Sequence, residues 1–268
     1  MELISQHNHT DMTNHGHAPL EELIAHAAAL GMTNIAVTEH YPLSAAVDPI
    51  NYVSMDKERI PEYIKRLQAL QEKYPAMELL IGCELDWLGA DEDREFAPDE
   101  FSKFDIVLGS VHYVDLWPFD DPAQKDHWEE MGVDAIWRRY FEVWNEAVTS
   151  DYPFTVMAHP DLVKKFGLYP SFDPTPLYKQ AAEAIASTDR MIEVNTSGAH
   201  YACKEMFPAI DLLREFARAG IPCTIGSDAH QVEHVNRGIE EGYKLLHEAG
   251  YRELTVVVPG GDRRTIAL

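Results

Sequence analysis

Cysteine is scarce in this chain of 268 residues: there are three, Cys83, Cys203 and Cys223. They are odd in number, far apart and without a CxxC pair, which argues against a disulfide framework and for a reducing compartment. Long apolar runs are also lacking. No stretch approaches the roughly 18 residues of a membrane span, and no basic segment followed by an apolar run marks a secretory leader. Basic residues are few, with 22 Lys and Arg against 45 Asp and Glu, a formal charge of −23. Such a surface repels phosphate backbones and anionic lipid, so neither nucleic acid nor a membrane is an expected partner. Internal repeats, low-complexity tracts and Gly-, Ser- or Pro-rich linkers are missing too. The expectation is a cytoplasmic protein folded as a single domain over residues 1–268, close to the about 250 residues of one β/α barrel. The sequence gives no sign of oligomeric state.

What is present is alternation. Short β-rich runs at residues 2–6, 34–38, 78–83, 104–111, 154–158, 191–194 and 222–225 alternate with amphipathic helical patterns, and 255–258 is a weaker eighth run. Several runs are almost continuously apolar, as strands covered on both faces are. Pro19 opens a helix with Leu20, Leu23, Ile24 and Ala27 on one face, and Gly31 suits its end. Ile60, Ile64, Leu67 and Leu70 mark a second helix. Val133, Ile136, Trp137, Tyr140, Phe141 and Trp144 form the strongest stripe, read as core. Strand–helix alternation throughout implies an α/β fold with a parallel sheet, either a closed or distorted barrel or an open doubly wound sheet. Residues 41–55 and 116–131 read as long loops.

Polar residues fall at the strand ends. The segment "SQHNHTDMTNHGHAP" holds His7, His9, His15 and His17 just after the first run. The later runs end at Glu39 and His40, Glu84 and Asp86, His112, His159 and Asp161, Glu193 and Asn195, and Asp228 and His230. In a parallel barrel all strand C-termini open on one face, where active sites sit. A spacing of two, as in His7/His9 and Asp228/His230, places both side chains on the same side of a strand. Imidazole and carboxylate suit zinc, iron and manganese. The pattern therefore reads as a metal site at the C-terminal face of the strands. His26, His127, His234 and His247 lie in helical or loop segments and read as surface residues.

Taken in order, "HNHTDMTNHG", "TEH", "GCELDW", "GSVHY", "AHPDLVKKFG", "VNTSG" and "GSDAH" resemble the PHP (polymerase and histidinol phosphatase) metal-dependent hydrolases. Within them the chain is most similar to the bacterial histidinol-phosphatases. The resemblance implies a distorted (β/α)7 barrel and up to three divalent ions, zinc, iron or manganese. It implies one ion held by His7, His9, Glu84 and Asp228, and a second sharing Glu84 and adding His112 and His159. A third would be held by His15, His40 and His230, with His17 the alternative to His15. The implied reaction is hydrolysis of a small phosphomonoester, first L-histidinol phosphate, by hydroxide held between the Glu84-bridged ions. Asp228 or a metal-bound water would protonate the leaving oxygen. Clustered cations suit this chemistry because they lower the pKa of water and neutralise phosphoryl oxygens.

One feature departs from the resemblance. Arginines are expected after "HPDL" and after "NTSG", because a guanidinium grips phosphate with two hydrogen bonds. The chain has Lys164 and Lys165 at the first place and His200 at the second, with Lys204 nearby, and these four are the candidate substrate-binding residues. Two other functions fit the same residues: a nucleotide phosphoesterase, and a metal-binding regulatory protein without turnover.

Overall fold

The computed structural model describes residues 2–89, 96–97 and 99–268. Its first four strands are β1 (Ile4–Ser5), β2 (Asn34–His40), β3 (Glu78–Asp86) and β4 (Ile106–Ser110). A small antiparallel ribbon follows, β5 (Tyr113–Val114) with β6 (Trp117–Pro118). Then come β7 (Val156–Met157), β8 (Met191–Asn195) and β9 (Cys223–Gly226). Seven of these form one sheet in the order β1-β2-β3-β4-β7-β8-β9, every pair parallel. The outer strands nearly close on each other. Gln6 N–H donates to the Ile225 carbonyl at 2.9 Å, Asp228 N–H to His7 at 2.9 Å, and His9 N–H to Ala229 at 2.7 Å. The result is the distorted seven-stranded β/α barrel expected from the sequence.

Alternation along the strands explains both the core and the site. Successive side chains face opposite sides of a strand. Ile35, Val37, Leu79 and Ile81 pack outward against Leu23, Ile24, Leu67 and Leu70, residues of α1 (Leu20–Ala29) and α2 (Ile60–Lys73). Ala36, Leu80, Ile106, Leu108, Val156 and Met191 pack on one another inside the barrel. Following the inward positions towards the strand C-termini, apolar residues give way to polar ones. On β2 they are Ala36, Thr38 and His40; on β3, Leu80, Gly82 and Glu84; on β8, Met191, Glu193 and Asn195. The lower half of the barrel is thus a hydrophobic plug and the upper half a polar cup.

The helices follow their apolar faces. α1 buries Leu20, Leu23, Ile24 and Ala27 and ends before Gly31, whose φ of +76° is the left-handed conformation a helix terminus favours. The long helix α4 (Val133–Thr149) buries Ile136, Trp137, Tyr140, Phe141 and Trp144, so the aromatic stripe is core. Three more helices, α5 (Thr175–Ala186), α6 (Ile210–Arg218) and α7 (Ile239–Ala249), complete the outer layer.

Two expectations are corrected. Residues 116–131 are not an open loop: they hold β6 and the helix α3 (Lys125–Met131). Only Trp128 of α3 is buried, its indole N–H donating to the Phe119 carbonyl at 2.8 Å, so no apolar periodicity announces the helix. The run 255–258 is not an eighth parallel strand. It belongs to β10 (Glu253–Val257), which pairs antiparallel with β11 (Arg263–Ala267). The turn "PGGD" makes the hairpin, with Gly260 and Gly261 at φ of +93° and +85°. The end of β10 caps the barrel floor: Gln6 Nε2 donates to the Val257 carbonyl, and Val257 N–H donates back to Gln6 Oε1.

Candidate metal centre

At the C-terminal mouth of the barrel, Glu84 lies almost fully buried with one carboxylate oxygen facing each way. Oε2 stands 3.2 Å from His7 Nε2, 3.1 Å from His9 Nε2 and 3.3 Å from His40 Nδ1. Oε1 stands 3.0 Å from His159 Nε2 and 3.7 Å from His112 Nε2, and accepts from the Ser110 hydroxyl. Asp228 Oδ1 lies 3.5 Å from His7 Nε2 and 3.4 Å from His9 Nε2. On the outer side His15 Nε2 is 3.0 Å from His230 Nε2, and the His15 and His40 rings are 5.1 Å apart. His15, His40, His112, His159, Asp228 and His230 line a mouth pocket of about 870 Å³, with Glu84 at its base. All nine side chains singled out for metal are therefore brought to one place. His17 is exposed on the pocket rim, and it is His15 that meets the other rings.

The strand-end residues that do not face the centre hold those that do. The Glu193 carboxylate accepts from His7 Nδ1 at 3.0 Å and from the His159 backbone N–H at 3.0 Å. Asp86 accepts from His112 Nδ1 at 2.7 Å. Asn195 Nδ2 and the Ser197 hydroxyl donate to Asp228 Oδ2 at 3.3 and 3.2 Å. Glu39 accepts from the backbone N–H groups of Thr10 and Thr13 and so fixes the loop that carries His9 on to His15. Gly226 is required by close approach: a Cβ there would meet Glu193 Oε1 at 2.2 Å and His7 Cβ at 2.5 Å. His159 and Asp228 both adopt positive φ, +28° and +51°, a conformation non-glycine residues keep mainly at functional sites.

These partners decide which ring nitrogen carries the proton. His15 Nδ1 donates to the Val53 carbonyl at 3.0 Å and His230 Nδ1 to the Asp228 carbonyl at 3.1 Å. In the neutral rings both Nε2 atoms are then bare lone pairs, yet they face each other at 3.0 Å. His7 and His112 likewise turn Nε2 inward with Nδ1 tied to a carboxylate. The facing His15 and His230 lone pairs repel unless a cation lies between them, and tying the far nitrogen to an acceptor, as in all four rings, is the usual support of a metal-bound imidazole. Among the described residues, three sets of donor atoms are close enough to share an ion: His7, His9 and Glu84; His40, Glu84 and His112; and His9, His40 and His230.

The electrostatics are those of a tightly coupled cluster. Burial opposes the charge on His7, but Glu193, Asp228 and Glu84 outweigh it and lift the ring well above the usual imidazole range. Against the same burial, Asp228 and Glu84 raise His9 to about 9, and Asp86 raises His112 to about 10. Burial and neighbouring rings push His40 well down and His15 down, and they push His230 to about 3. Burial costs Glu84 and Asp228 as well, yet the surrounding imidazoles hold both well below the usual carboxylate range.

The four candidate substrate-binding residues separate. Lys165 lines the pocket, its Nζ 2.7 Å from Asp120. Lys164 is fully buried, 2.9 Å from Asp161 and 2.8 Å from the Met206 carbonyl, and has no path to a ligand. His200 and Lys204 are exposed and do not line the pocket. Lining residues that the sequence reading missed include Asp120, Tyr201 and Arg237, and His234, read as a surface residue, lines the pocket too. His234 reads as a surface residue because it follows no strand directly. Arg237 stands seven residues beyond His230, so a search of whole loops, and not only strand ends, finds it.

Comparison with known proteins bears on the same residues. The model of the PHP domain matches residues 5–197. A "Probable histidinol-phosphatase" of Deinococcus radiodurans is 32% identical over 257 residues, covering 94% of this chain and 96% of that protein. Another of the same name from Thermotoga maritima is 25% identical over 256 residues, covering 95% of each. Among solved structures, the fold is similar to that of histidinol phosphate phosphatase from Lactococcus lactis, solved with zinc, L-histidinol and phosphate. The TM-score is 0.79 at 23% identity, covering 98% of this chain and 99% of that one.

Proposed function

The chain belongs to the PHP domain family, and from that premise we propose that it is a metal-dependent phosphatase hydrolysing L-histidinol phosphate to L-histidinol and phosphate. The observation that carries the reading is Glu84, whose two oxygens each face a separate set of imidazoles, the arrangement of a carboxylate that bridges two ions. The substrate class is supported by the names of the relatives and by the zinc, histidinol and phosphate bound in the Lactococcus protein.

We assign His7, His9, Glu84 and Asp228 to one ion, Glu84, His112 and His159 to a second, and His15, His40 and His230 to a third. Histidine-rich sites of this kind accept zinc, iron or manganese. When bound, such ions supply activated water at neutral pH and neutralise phosphoryl oxygens. The chain's own residues supply the rest. Glu193 and Asp86 hold His7 and His112 in the tautomer that presents Nε2 inward. Asn195 and Ser197 fix Asp228 Oδ2, leaving Oδ1 towards His7 and His9. The pocket is lined by the buried Glu84 and also by Lys165 and Arg237, so the phosphoryl group of a small ester can meet the metal ligands and a cation together. A cysteine nucleophile is disfavoured: burial raises the Cys83, Cys203 and Cys223 thiols above their usual range. The three cysteines are free and buried, which supports a reducing, cytoplasmic setting.

The test is phosphate release by metal-loaded protein, with and without chelator. The substrates are L-histidinol phosphate beside nucleoside 3′- and 5′-phosphates and p-nitrophenyl phosphate. Chelator-sensitive turnover highest on L-histidinol phosphate is expected. Preference for a nucleotide overturns the substrate, and silence under zinc, iron and manganese overturns the enzyme.

A further inference from the structure

In a chain of net charge −23, one sector of the pocket mouth is cationic. Arg237 lines it with His234 beside it, and Arg237 and Lys204 both disfavour charge on the exposed His200. Arg237 Nη1 lies 3.2 Å from His234 Nε2, and Arg237 Nε is buried without a hydrogen-bond partner. Among the described residues no carboxylate pairs with the guanidinium. Arg66, Arg139, Arg214, Arg218 and Arg264, by contrast, are each paired with a carboxylate.

The backbone of Arg237 is fixed, which separates it from a loose surface charge. Its carbonyl accepts from the Thr196 hydroxyl, tying the loop after β9 to the loop after β8. The next residue is Gly238, at φ of +76° and packed on Thr196. Lys165 serves the same mouth, its ammonium 4.9 Å from the centre of the Tyr201 ring, but it is already paired with Asp120. A planar guanidinium with free N–H groups, held at the rim of a metal pocket, matches a phosphoryl group, which accepts two parallel hydrogen bonds.

We propose that Arg237 is the specificity-determining residue that grips the phosphoryl group of the substrate, and free phosphate in its place, from the loop after β9. The proposal rests on the phosphatase reading above. Arg237 binds and orients the phosphoryl oxygens that face away from the metal centre, and Lys165 adds charge without a fork.

The experiment titrates inorganic phosphate into metal-loaded wild type, Arg237→Gln and Arg237→Lys by calorimetry, with metal content measured on each. KM and kcat on L-histidinol phosphate are read in parallel. Loss of charge-assisted hydrogen bonds should weaken phosphate binding and raise KM together by about 10- to 100-fold in Arg237→Gln, with kcat changed far less. Arg237→Lys keeps the charge, loses the fork and falls between. Phosphate affinity equal to wild type in both variants overturns the proposal. So does a wild type that binds no phosphate. If Arg237→Gln loses metal or fails to fold, Arg237→Lys decides alone: an intermediate affinity supports the proposal and an unchanged one overturns it. Arg237-dependent phosphate binding without turnover of L-histidinol phosphate would refute the substrate assignment and leave the anion site standing.

Discussion

Lys164 and Lys165 are neighbours in sequence with opposite surroundings. Lys165 turns towards the pocket, and Lys164 is sealed beneath it against Asp161, Glu205 and the Met206 carbonyl. Lys164→Met leaves the Asp161 carboxylate buried without its cation, a class of change that costs about 3 kcal/mol or more. Chemical denaturation should register that loss, while metal content and KM stay at wild-type values; a raised KM with unchanged stability would put Lys164 in the substrate site. Glu193 predicts the reverse pattern. It touches His7 and His159 and no solvent. In Glu193→Gln the fold should persist and metal affinity drop by about 10- to 100-fold, as when an outer partner of a ligating histidine is removed. Competition with a coloured chelator reads this directly. Residue types at strand ends made the meeting of His7, Glu84, His159 and Asp228 legible in the sequence. Which carboxylates face the centre and which stand behind it was not, because Glu84 and Asp86, or Glu193 and Asn195, share one parity and differ only in depth.

Elements were legible where an apolar pattern repeats. Both faces of β2 and β3 are buried, so "NIAV" and "ELLIGC" read as strands, and α4 shows its stripe plainly. Helix α3 escaped because one buried tryptophan makes no period. Strand β10 was misplaced because four apolar residues look alike in a parallel sheet and in a hairpin, and the "PGGD" turn after it was the deciding signal. The hairpin is tied to the barrel by Arg264, which reaches Glu2 and Glu78 at 2.9 and 2.8 Å. Hydrogen bonding to Arg264 lowers the Glu2 carboxyl below its usual value. A carboxylate lowered in the folded state stabilises the fold at pH values above its unfolded pKa, and that contribution disappears as pH falls through the folded pKa. The groups are a third exposed, so Arg264→Ala should cost at most about 1 kcal/mol at neutral pH. The difference from wild type should vanish in acid. A deficit that persists at low pH would show that Arg264 acts by packing alone.

At the scale of the whole molecule, residues spread from His7 to His230 meet only because seven parallel strands end at one mouth. The outer surface is strongly acidic, and no described helix is long and apolar enough to cross a membrane. The centre gathers imidazoles and carboxylates whose lone pairs converge, and the pocket above it carries Lys165 and Arg237. The acidic excess of the chain and the two cations placed at the pocket together favour a small anion guided to one place over a long polyanion lying on the surface. Anomalous diffraction from crystals of zinc-loaded protein tests this most directly. Peaks should lie about 2.0–2.2 Å from the ligand atoms of His7, His9, Glu84, His159 and Asp228, with Glu84 shared between two ions. A mouth without anomalous density at saturating zinc, or zinc bound only elsewhere on the surface, would contradict it.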